Sequence, residues 1–206
     1  MRRCVAAGLA LALTCASFAA PANSTKSTNP PATTVGAPEL PADSIFNVDG
    51  RFVDQAGRSF ALRDRRGSAQ IIAMFYASCQ LVCPMLIETG RALDRALSAS
   101  ERQRLRVLLV SLDPGKDLPA VLAKTAAAHG LDTRRWTLAC TDAQTVRRLA
   151  AVLDVRYRQL EDGSFNHTSA LLLLDADGRI VARSDGLGGK PDPQFVTAVR
   201  AALTAH

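Results

Sequence analysis

Two continuous apolar runs constrain the fold more than any other feature of this sequence. Residues 69–77 read AQIIAMFYA and residues 105–112 read LRVLLVSL, and both runs are rich in residues that favour strands. A strand that is apolar on both faces must be covered on both faces. Each run therefore predicts a central strand of a sheet that lies between layers of helices.

The segments around these runs extend the sheet and supply its helices. An N-terminal β-hairpin is predicted over residues 46–62, which contain the turn signals Asp49-Gly50 and Ala56-Gly57. Helical spacing after Pro84 predicts a first helix, and further helices are predicted at residues 119–129, 142–153 and 192–204. The remaining strands are predicted at residues 135–140, 155–160, 169–175 and 178–184. This order predicts an α/β fold with a mixed sheet flanked by helices.

The N-terminal part of the chain has the pattern of an export signal. Residues 1–22 contain Arg2 and Arg3, an apolar run and a final group of small residues, which together predict a signal peptide cleaved after Ala22. A retained membrane anchor is the alternative, but the run is short and rich in alanine. Residues 23–44 are rich in Pro, Ser and Thr and predict a flexible tether, so residues 45–206 form the predicted domain. We therefore expect a periplasmic protein.

The net charge of +6 does not indicate a nucleic-acid partner. Arg2 and Arg3 lie in the predicted signal peptide, and the other basic residues are scattered in short pairs such as Arg65-Arg66. Nucleic-acid binding favours basic runs interleaved with aromatic residues, and this sequence contains no such run. We expect these basic residues to lie on a solvated surface. The protein is expected to be peripheral to the membrane at most.

Two cysteines lie where the first buried strand ends and a helix begins. Cys4 and Cys15 leave with the signal peptide, whereas Cys79 and Cys83 stand just before Pro84, which is predicted to be the first helical residue. A helix N-terminus stabilises negative charge, so at least one of these thiols should ionise more readily than a free cysteine. Metal binding and disulfide exchange both use the thiolate, and both functions remain open.

Histidine is the expected third ligand if the pair binds a metal. Two soft sulfur ligands suit monovalent copper, because zinc normally takes four ligands. Of the three histidines, His206 is the terminal residue and His129 lies at a predicted helix end. His167 is the candidate ligand, on a loop directly before an apolar strand.

Three further residues have both a structural and a functional interpretation. Asp113 follows the second buried strand and either approaches the metal site or only begins the turn. Asp117 is predicted to be the N-cap of the next helix. Cys140, the remaining cysteine of the predicted domain, is interpreted as a small buried residue.

Three segments together resemble the SCO/SenC copper proteins: FYASCQLVCPMLI, VSLDPGKDLPAVL and NHTSALLLLDADGRIVA. The resemblance covers about residues 45–205. It implies a thioredoxin-like fold and a copper ion, as Cu(I) or Cu(II), bound by Cys79, Cys83 and His167. It also implies a role in assembling the copper site of cytochrome c oxidase. The expected partner is a copper-accepting oxidase subunit or another periplasmic copper carrier.

The sequence departs from many relatives at three positions near these motifs. Gln80 replaces a common Pro, Asn166 a common Asp and Lys116 a common Arg. Members of the family also commonly keep a membrane anchor, whereas a cleaved signal is expected here. The change at Asn166 removes an acid that would support the neighbouring His167, and this weakens the expectation of a stable Cu(II) complex.

Two functions follow from this reasoning. The preferred hypothesis is a copper metallochaperone, which would not be an enzyme. The alternative is a thiol:disulfide oxidoreductase that acts on cysteines of a copper-protein client, with Cys79 and Cys83 as the redox pair and His167 tuning thiolate formation.

Overall fold

The computed structural model describes residues 39–204. The predicted signal peptide, most of the predicted tether and His206 lie outside these residues. Within residues 39–204, no helix is both long enough and apolar enough to cross a membrane. The last residues of the predicted tether contact the domain, since Ser44 is buried and its side chain caps a 3-10 helix at Ile45–Asn47.

The described chain forms one large mixed sheet and a separate two-stranded ribbon. The large sheet has the order β2-β1-β5-β4-β3-β8-β9 and the ribbon is β6-β7. The strands are β1 (Phe52–Asp54), β2 (Ser59–Phe60), β3 (Gln70–Phe75), β4 (Arg106–Ser111), β5 (Trp136–Cys140), β6 (Tyr157–Gln159), β7 (Phe165–His167), β8 (Leu171–Leu174) and β9 (Ile180–Ser184). The predicted mixed sheet is confirmed.

Helices are packed around this sheet. They are α1 (Val82–Ala96), α2 (Ala99–Arg104), α3 (Pro119–Ala128), α4 (Ala143–Val152) and α5 (Pro193–Thr204). Close packing of α1 explains a glycine within a helix, because a Cβ at Gly90 would lie 2.6 Å from the ring of Trp136. The short helix α2 was not predicted, although Ser98 and Glu101 form a capping box at its start.

Two predicted strand segments differ from the structure. The hairpin is formed only by β1 and β2 around Gly57, whereas Ile45–Asn47 is a 3-10 helix. The segment at Tyr157 does not join the large sheet and pairs with β7 instead, so Tyr157 lies opposite His167. Alternating apolar and polar residues predict a strand but do not specify its partner.

The central strands bring the chemically interesting segments to one edge. All six residues of β3 are buried, and β3 pairs in parallel with β4, which pairs in parallel with β5. The carboxyl ends of parallel strands meet at the same edge of a sheet, which is where ligands bind in many α/β proteins. The cysteine loop follows β3 at this edge, and the segment that contains Asp113 and Asp117 follows β4.

Candidate metal centre

The two cysteines lie on either side of a helix start. Cys79 is in the loop after β3, whereas Cys83 is the second residue of α1, which begins at Val82 with Leu81 as its N-cap. The prediction that Pro84 is the first helical residue and Cys83 the cap is therefore wrong, because the helix begins two residues earlier. The backbone N–H of Cys83 donates a hydrogen bond to Cys79 Sγ at 3.3 Å.

This arrangement makes the two thiols unequal. Burial opposes ionisation of Cys79, but hydrogen bonds from the backbone N–H groups of Cys83 and Leu81 outweigh it and lower the pKa of this thiol. Cys83 is only 2% exposed, and burial raises the pKa of its thiol well above the ordinary value, with the nearby Cys79 adding to the shift. The predicted effect of the helix N-terminus is thus confirmed for Cys79, which is the partly exposed thiol of the pair.

His167 lies against the buried cysteine. Its Nε2 is 3.7 Å from Cys83 Sγ. Its Nδ1 is 3.0 Å from the carbonyl oxygen of Thr168, and because a carbonyl only accepts, Nδ1 carries the proton. Nε2 is then the nitrogen with a free lone pair, and it is directed at the sulfur. Burial lowers the pKa of the imidazole, which favours this neutral form.

The position of His167 differs from the expected loop. It is the last residue of the strand β7, and its pairing with Tyr157 fixes the backbone that carries the imidazole. The side chain of Asn166, at the position where many relatives have Asp, is not needed to orient the ring. The Nδ1 side of the imidazole faces the carbonyl oxygen of Thr168 and the hydroxyl of Ser169, which is 3.3 Å from Nδ1, and these contacts orient the ring.

Tyr76 is a site residue that the sequence analysis missed. Its ring packs edge-on against the ring of His167, with 5.7 Å between centroids, and its hydroxyl donates a hydrogen bond to the carbonyl oxygen of Phe165 at 3.3 Å. Burial raises the pKa of the phenol, and an interaction with Cys79 adds to the rise. A polar aromatic residue at the end of an apolar run, just before the cysteines, was the available signal.

Asp117 has a different role from the predicted one. The N-cap of α3 is Leu118, which makes no side-chain capping bond, so the prediction that Asp117 caps this helix is wrong. Its buried carboxylate accepts hydrogen bonds from the backbone N–H of Ala77 at 2.8 Å and the hydroxyl of Ser111 at 2.5 Å. Asp117 thereby ties the start of the cysteine loop to the end of β4. Burial raises the pKa of this carboxyl group, although both hydrogen bonds act in the opposite direction.

The other candidate residues lie outside this cluster. Asp113 is buried beside a groove of about 620 Å³ that is also lined by Tyr157, and its Oδ2 is 3.7 Å from Lys116 Nζ. Cys140 is buried at the end of β5, with its sulfur 3.7 Å from the carbonyl oxygen of Val53, and the interpretation as a small buried residue agrees with this position. His129 ends α3 rather than facing the cysteines.

The cluster combines two thiols and one neutral imidazole, of which only Cys83 contacts both of the others. Within residues 39–204, no group of three or more His, Cys, Asp or Glu side chains is already placed to hold a metal ion, so the contacts among Cys79, Cys83 and His167 are pairwise. The sulfur of Cys79 is held by the N–H of Cys83, while Cys83 contacts His167. Such donors suit a soft ion of low coordination number, and the same two thiols suit disulfide exchange.

Known proteins resemble this chain in sequence and in fold. A SCO1 protein homolog of Bacillus subtilis (strain 168) is 24% identical over 159 residues, which cover 74% of this chain and 80% of the homolog. The structure of Bradyrhizobium japonicum ScoI with copper bound superposes with a TM-score of 0.60 at 23% identity and covers 75% of this chain and 97% of that one.

A second solved structure is BsSco, a member of the Sco family of cytochrome c oxidase assembly proteins in which a disulfide switch has been identified. It superposes with a TM-score of 0.67 at 22% identity and covers 77% of this chain and 94% of that one. These structural likenesses show the fold, which is thioredoxin-like as expected. The family model SCO1/SenC matches residues 41–203. The chain is therefore a member of the SCO1/SenC family.

Proposed function

We propose that this protein is a periplasmic copper metallochaperone that binds one copper ion through Cys79, Cys83 and His167. Its acceptor is an oxidase subunit during cytochrome c oxidase assembly, or another periplasmic copper carrier. The observation that carries the proposal is the 3.7 Å contact between Cys83 Sγ and His167 Nε2, with Cys79 at the same helix start. The copper-bound structure of a family member supports the choice of metal.

The unequal burial of the ligands suits delivery of the ion. Cys83 is almost fully buried and His167 is held by its hydrogen bond to Thr168, so these two ligands form the fixed part of the site. Cys79 is partly exposed and ionises more readily. An incoming thiolate of the acceptor can therefore replace Cys79 first, and the copper passes by ligand exchange without a change in its oxidation state.

Copper transfer is the experiment that tests this function. The reduced, copper-loaded protein is mixed with a purified apo copper domain of an oxidase subunit, the two are separated, and copper and free thiols are measured in each. We expect copper to move to the acceptor while the number of thiols stays the same. Copper that remains with the donor under these conditions would contradict the proposal.

The proposed location rests on residues 1–22, which lie outside the described part of the chain. Cleavage after Ala22 would leave a mature protein that begins at Asn23, with residues 23–44 between the new N-terminus and the domain. N-terminal sequencing of the protein from its native host tests this. An intact Met1 in a membrane fraction would show that the segment is an anchor.

The second candidate function is a thiol:disulfide oxidoreductase, and the unequal thiols favour it. The Cys79 thiolate would attack a client disulfide, forming a mixed disulfide and releasing one client thiolate. Cys83, after losing its proton, would attack Cys79 Sγ and release the second client thiol. The client gains two electrons, this pair becomes a disulfide, and another dithiol must reduce it. In the transfer experiment with an oxidised acceptor, this function predicts new acceptor thiols without copper movement.

A further inference from the structure

A groove lined by arginines lies at the opposite edge of the sheet from the cysteines. Its volume is about 1030 Å³, and its basic lining residues are Arg58, Arg65, Arg106 and Arg134. Phe60 and Leu131 supply part of an apolar wall. The groove is lined by Arg106 and Thr137 at the amino ends of β4 and β5, so it is separated from the proposed copper site by the length of the central strands.

Arg65 is fixed in this groove by three contacts. Its Nε donates to Gln70 Oε1 at 2.7 Å, one terminal nitrogen donates to Thr137 Oγ1 at 3.3 Å, and its guanidinium carbon lies 5.7 Å from the centre of the Phe60 ring. Gln70 lies on β3 and Thr137 on β5. The guanidinium therefore spans the strand between them, which is β4.

Arg106 extends from that middle strand on the same face. It is paired in register with Gln70, and registered neighbours in a parallel sheet direct their side chains to the same side. Thr137 is paired with Leu108, which is two residues from Arg106 and thus also on this face. The two guanidinium groups of Arg65 and Arg106 therefore lie side by side.

Neither of these two arginines is neutralised within residues 39–204. Arg58 is paired with Asp54 at 2.8 Å and Arg134 with Asp132 at 2.9 Å, but Arg65 and Arg106 form no ion pair with a carboxylate in this part of the chain. Asp64 also lines the groove, and its carboxylate accepts a hydrogen bond from the backbone N–H of Ala61 at 2.8 Å. Neither guanidinium group of this pair is therefore in a direct ion pair, although the carboxylates of Asp54 and Asp64 also line the groove.

An anion between the two guanidinium groups would relieve their mutual repulsion. Burial, followed by repulsion from Arg106, lowers the pKa of Arg65 to about 10. Arginine remains charged at neutral pH even so, and the half-buried guanidinium of Arg65 is only partly solvated. Both side chains retain N–H donors that are not engaged by the protein, which is what bidentate binding of an oxyanion requires.

We propose that Arg65 and Arg106 form a binding site for a phosphate group at the amino-terminal edge of the sheet. A phosphate monoester carries nearly two negative charges at neutral pH, which matches two guanidinium groups better than a single carboxylate does. The phosphate group belongs either to a soluble phosphate compound or to a lipid headgroup. The apolar wall beside the arginines is compatible with both sources.

Titration of the full protein with inorganic phosphate tests the site, with the Nε–H signals of the arginine side chains followed by NMR. Signals of Arg65 and Arg106 should shift together and saturate. Arg65→Gln and Arg106→Gln should each weaken binding by about tenfold or more, since a charge-assisted pair is lost. Arg106→Gln changes an exposed side chain and guards against a folding defect in Arg65→Gln.

The matched control is Arg51→Gln. Arg51 is exposed, and its carbonyl oxygen accepts a hydrogen bond from Thr141, which follows the carboxyl end of β5. This variant removes the same charge at the other edge of the sheet and should bind phosphate as the parent does. Equal binding by the parent and both groove variants would overturn the proposal, as would an equal loss of binding in Arg51→Gln.

Vesicle sedimentation distinguishes the two sources of phosphate. Binding to phosphatidylglycerol vesicles but not to phosphatidylcholine vesicles, with loss in Arg106→Gln, would assign the site to a lipid headgroup. Binding of inorganic phosphate and glycerol phosphate without vesicle binding would assign it to a soluble compound. Chloride that shifts the same signals at the same concentrations as phosphate would overturn the proposal.

Discussion

The two ends of the central strands bury polar groups in different ways. At the carboxyl end, burial raises the pKa values of Cys83 and Asp117 and lowers that of His167, so each of these groups is shifted towards its neutral form. At the amino end, Arg65 has no neutral form available at physiological pH and remains a cation. A group that can change its protonation adapts to burial by becoming neutral, whereas a half-buried arginine keeps its charge.

Cys79 is the exception at the carboxyl end, and it explains what that end can do. It is the one thiol of the pair whose pKa is lowered, because N–H groups at the start of α1 are directed at its sulfur. The site thus combines an available thiolate with a buried thiol and a half-buried imidazole that a cation can recruit. The amino end offers the reverse chemistry, since its donors are guanidinium groups that attract anions.

The largest expected effect follows from removing the buried sulfur. Cys83→Ser should abolish stoichiometric copper binding and the internal disulfide, because one thiolate and one imidazole form a poor copper site and a hydroxyl cannot form a disulfide. Copper analysis and thiol counting after oxidation measure both losses.

Cys140→Ser is the matched control, since it makes the same change at another buried cysteine. It should leave the copper stoichiometry unchanged and lower the free energy of unfolding by about 1–3 kcal/mol or less, through burial of a hydroxyl. Loss of copper with unchanged folding would mean that Cys140 is a ligand. Cys83 and Cys140 would then no longer differ in their role in copper binding.

Asp117 should have the next largest effect, on stability. Asp117→Ala leaves the N–H of Ala77 and the hydroxyl of Ser111 without their acceptor, which should lower the free energy of unfolding by about 2–4 kcal/mol. Asp117→Asn keeps an acceptor oxygen and should retain most of this stability. Urea unfolding of both variants provides the measurement, and equal destabilisation by Ala and Asn would show that the charge itself matters.

His167 should affect copper binding selectively. His167→Ala removes an imidazole, which matters more to Cu(II), with its preference for four tetragonal ligands, than to Cu(I), which two thiolates can hold. The variant should lose the thiolate-to-copper absorption of the Cu(II) form and weaken Cu(II) binding more than Cu(I) binding. The disulfide between Cys79 and Cys83 should still form. Unchanged binding of both oxidation states would remove His167 from the site.

The smallest expected effect is on the pH dependence of stability. The pKa of His167 is lower in the fold than its ordinary value of 6.5, so the unfolded chain takes up a proton at higher pH than the folded one does. This group therefore contributes to a loss of stability as the pH falls below about 6.5, its ordinary pKa. Asp117 acts in the opposite direction.

The carboxyl group of Asp117 ionises in the unfolded chain near pH 3.8 but only at higher pH in the fold, so it lowers stability as the pH rises through that interval. Asp117→Asn should remove this loss, and His167→Ala should flatten the loss on the acid side. Denaturant unfolding at a series of pH values measures both slopes. Slopes that match the parent in both variants would contradict the assigned burial effects.

The strands of the fold could be predicted where a continuous apolar run requires burial on both faces. The continuous apolar runs predicted β3 and β4 because every residue of β3 and nearly every residue of β4 is buried. Partner choice could not be predicted in the same way, and the Tyr157 segment pairs with β7 in a ribbon rather than with the large sheet. The pairing depends on contacts between distant residues that no local pattern contains.

The candidate ligands of the site could be predicted from their residue types, but the residues that hold these ligands in place could not. Sulfur and imidazole have distinctive chemistry, so Cys79, Cys83 and His167 were identified as candidates from the sequence. Tyr76 and Asp117 act through packing and through hydrogen bonds to backbone atoms of other segments, which only the folded chain brings together. The sequence predicted that the pair Arg65-Arg66 is solvated. In the fold, Arg65 instead donates hydrogen bonds to Gln70 and Thr137, which lie on β3 and β5.

The most direct test of the copper site is a Cu(I) titration of the reduced protein, with metal analysis and X-ray absorption at the copper edge. We expect one copper per chain, with two sulfur scatterers and one imidazole nitrogen at bonding distance. The nitrogen should disappear in His167→Ala, whereas Cys79→Ser should lose stoichiometric copper as Cys83→Ser does, because each leaves only one thiolate and one imidazole. A reduced protein that binds no stoichiometric copper, or a copper shell that is identical in the parent and His167→Ala, would contradict the assignment.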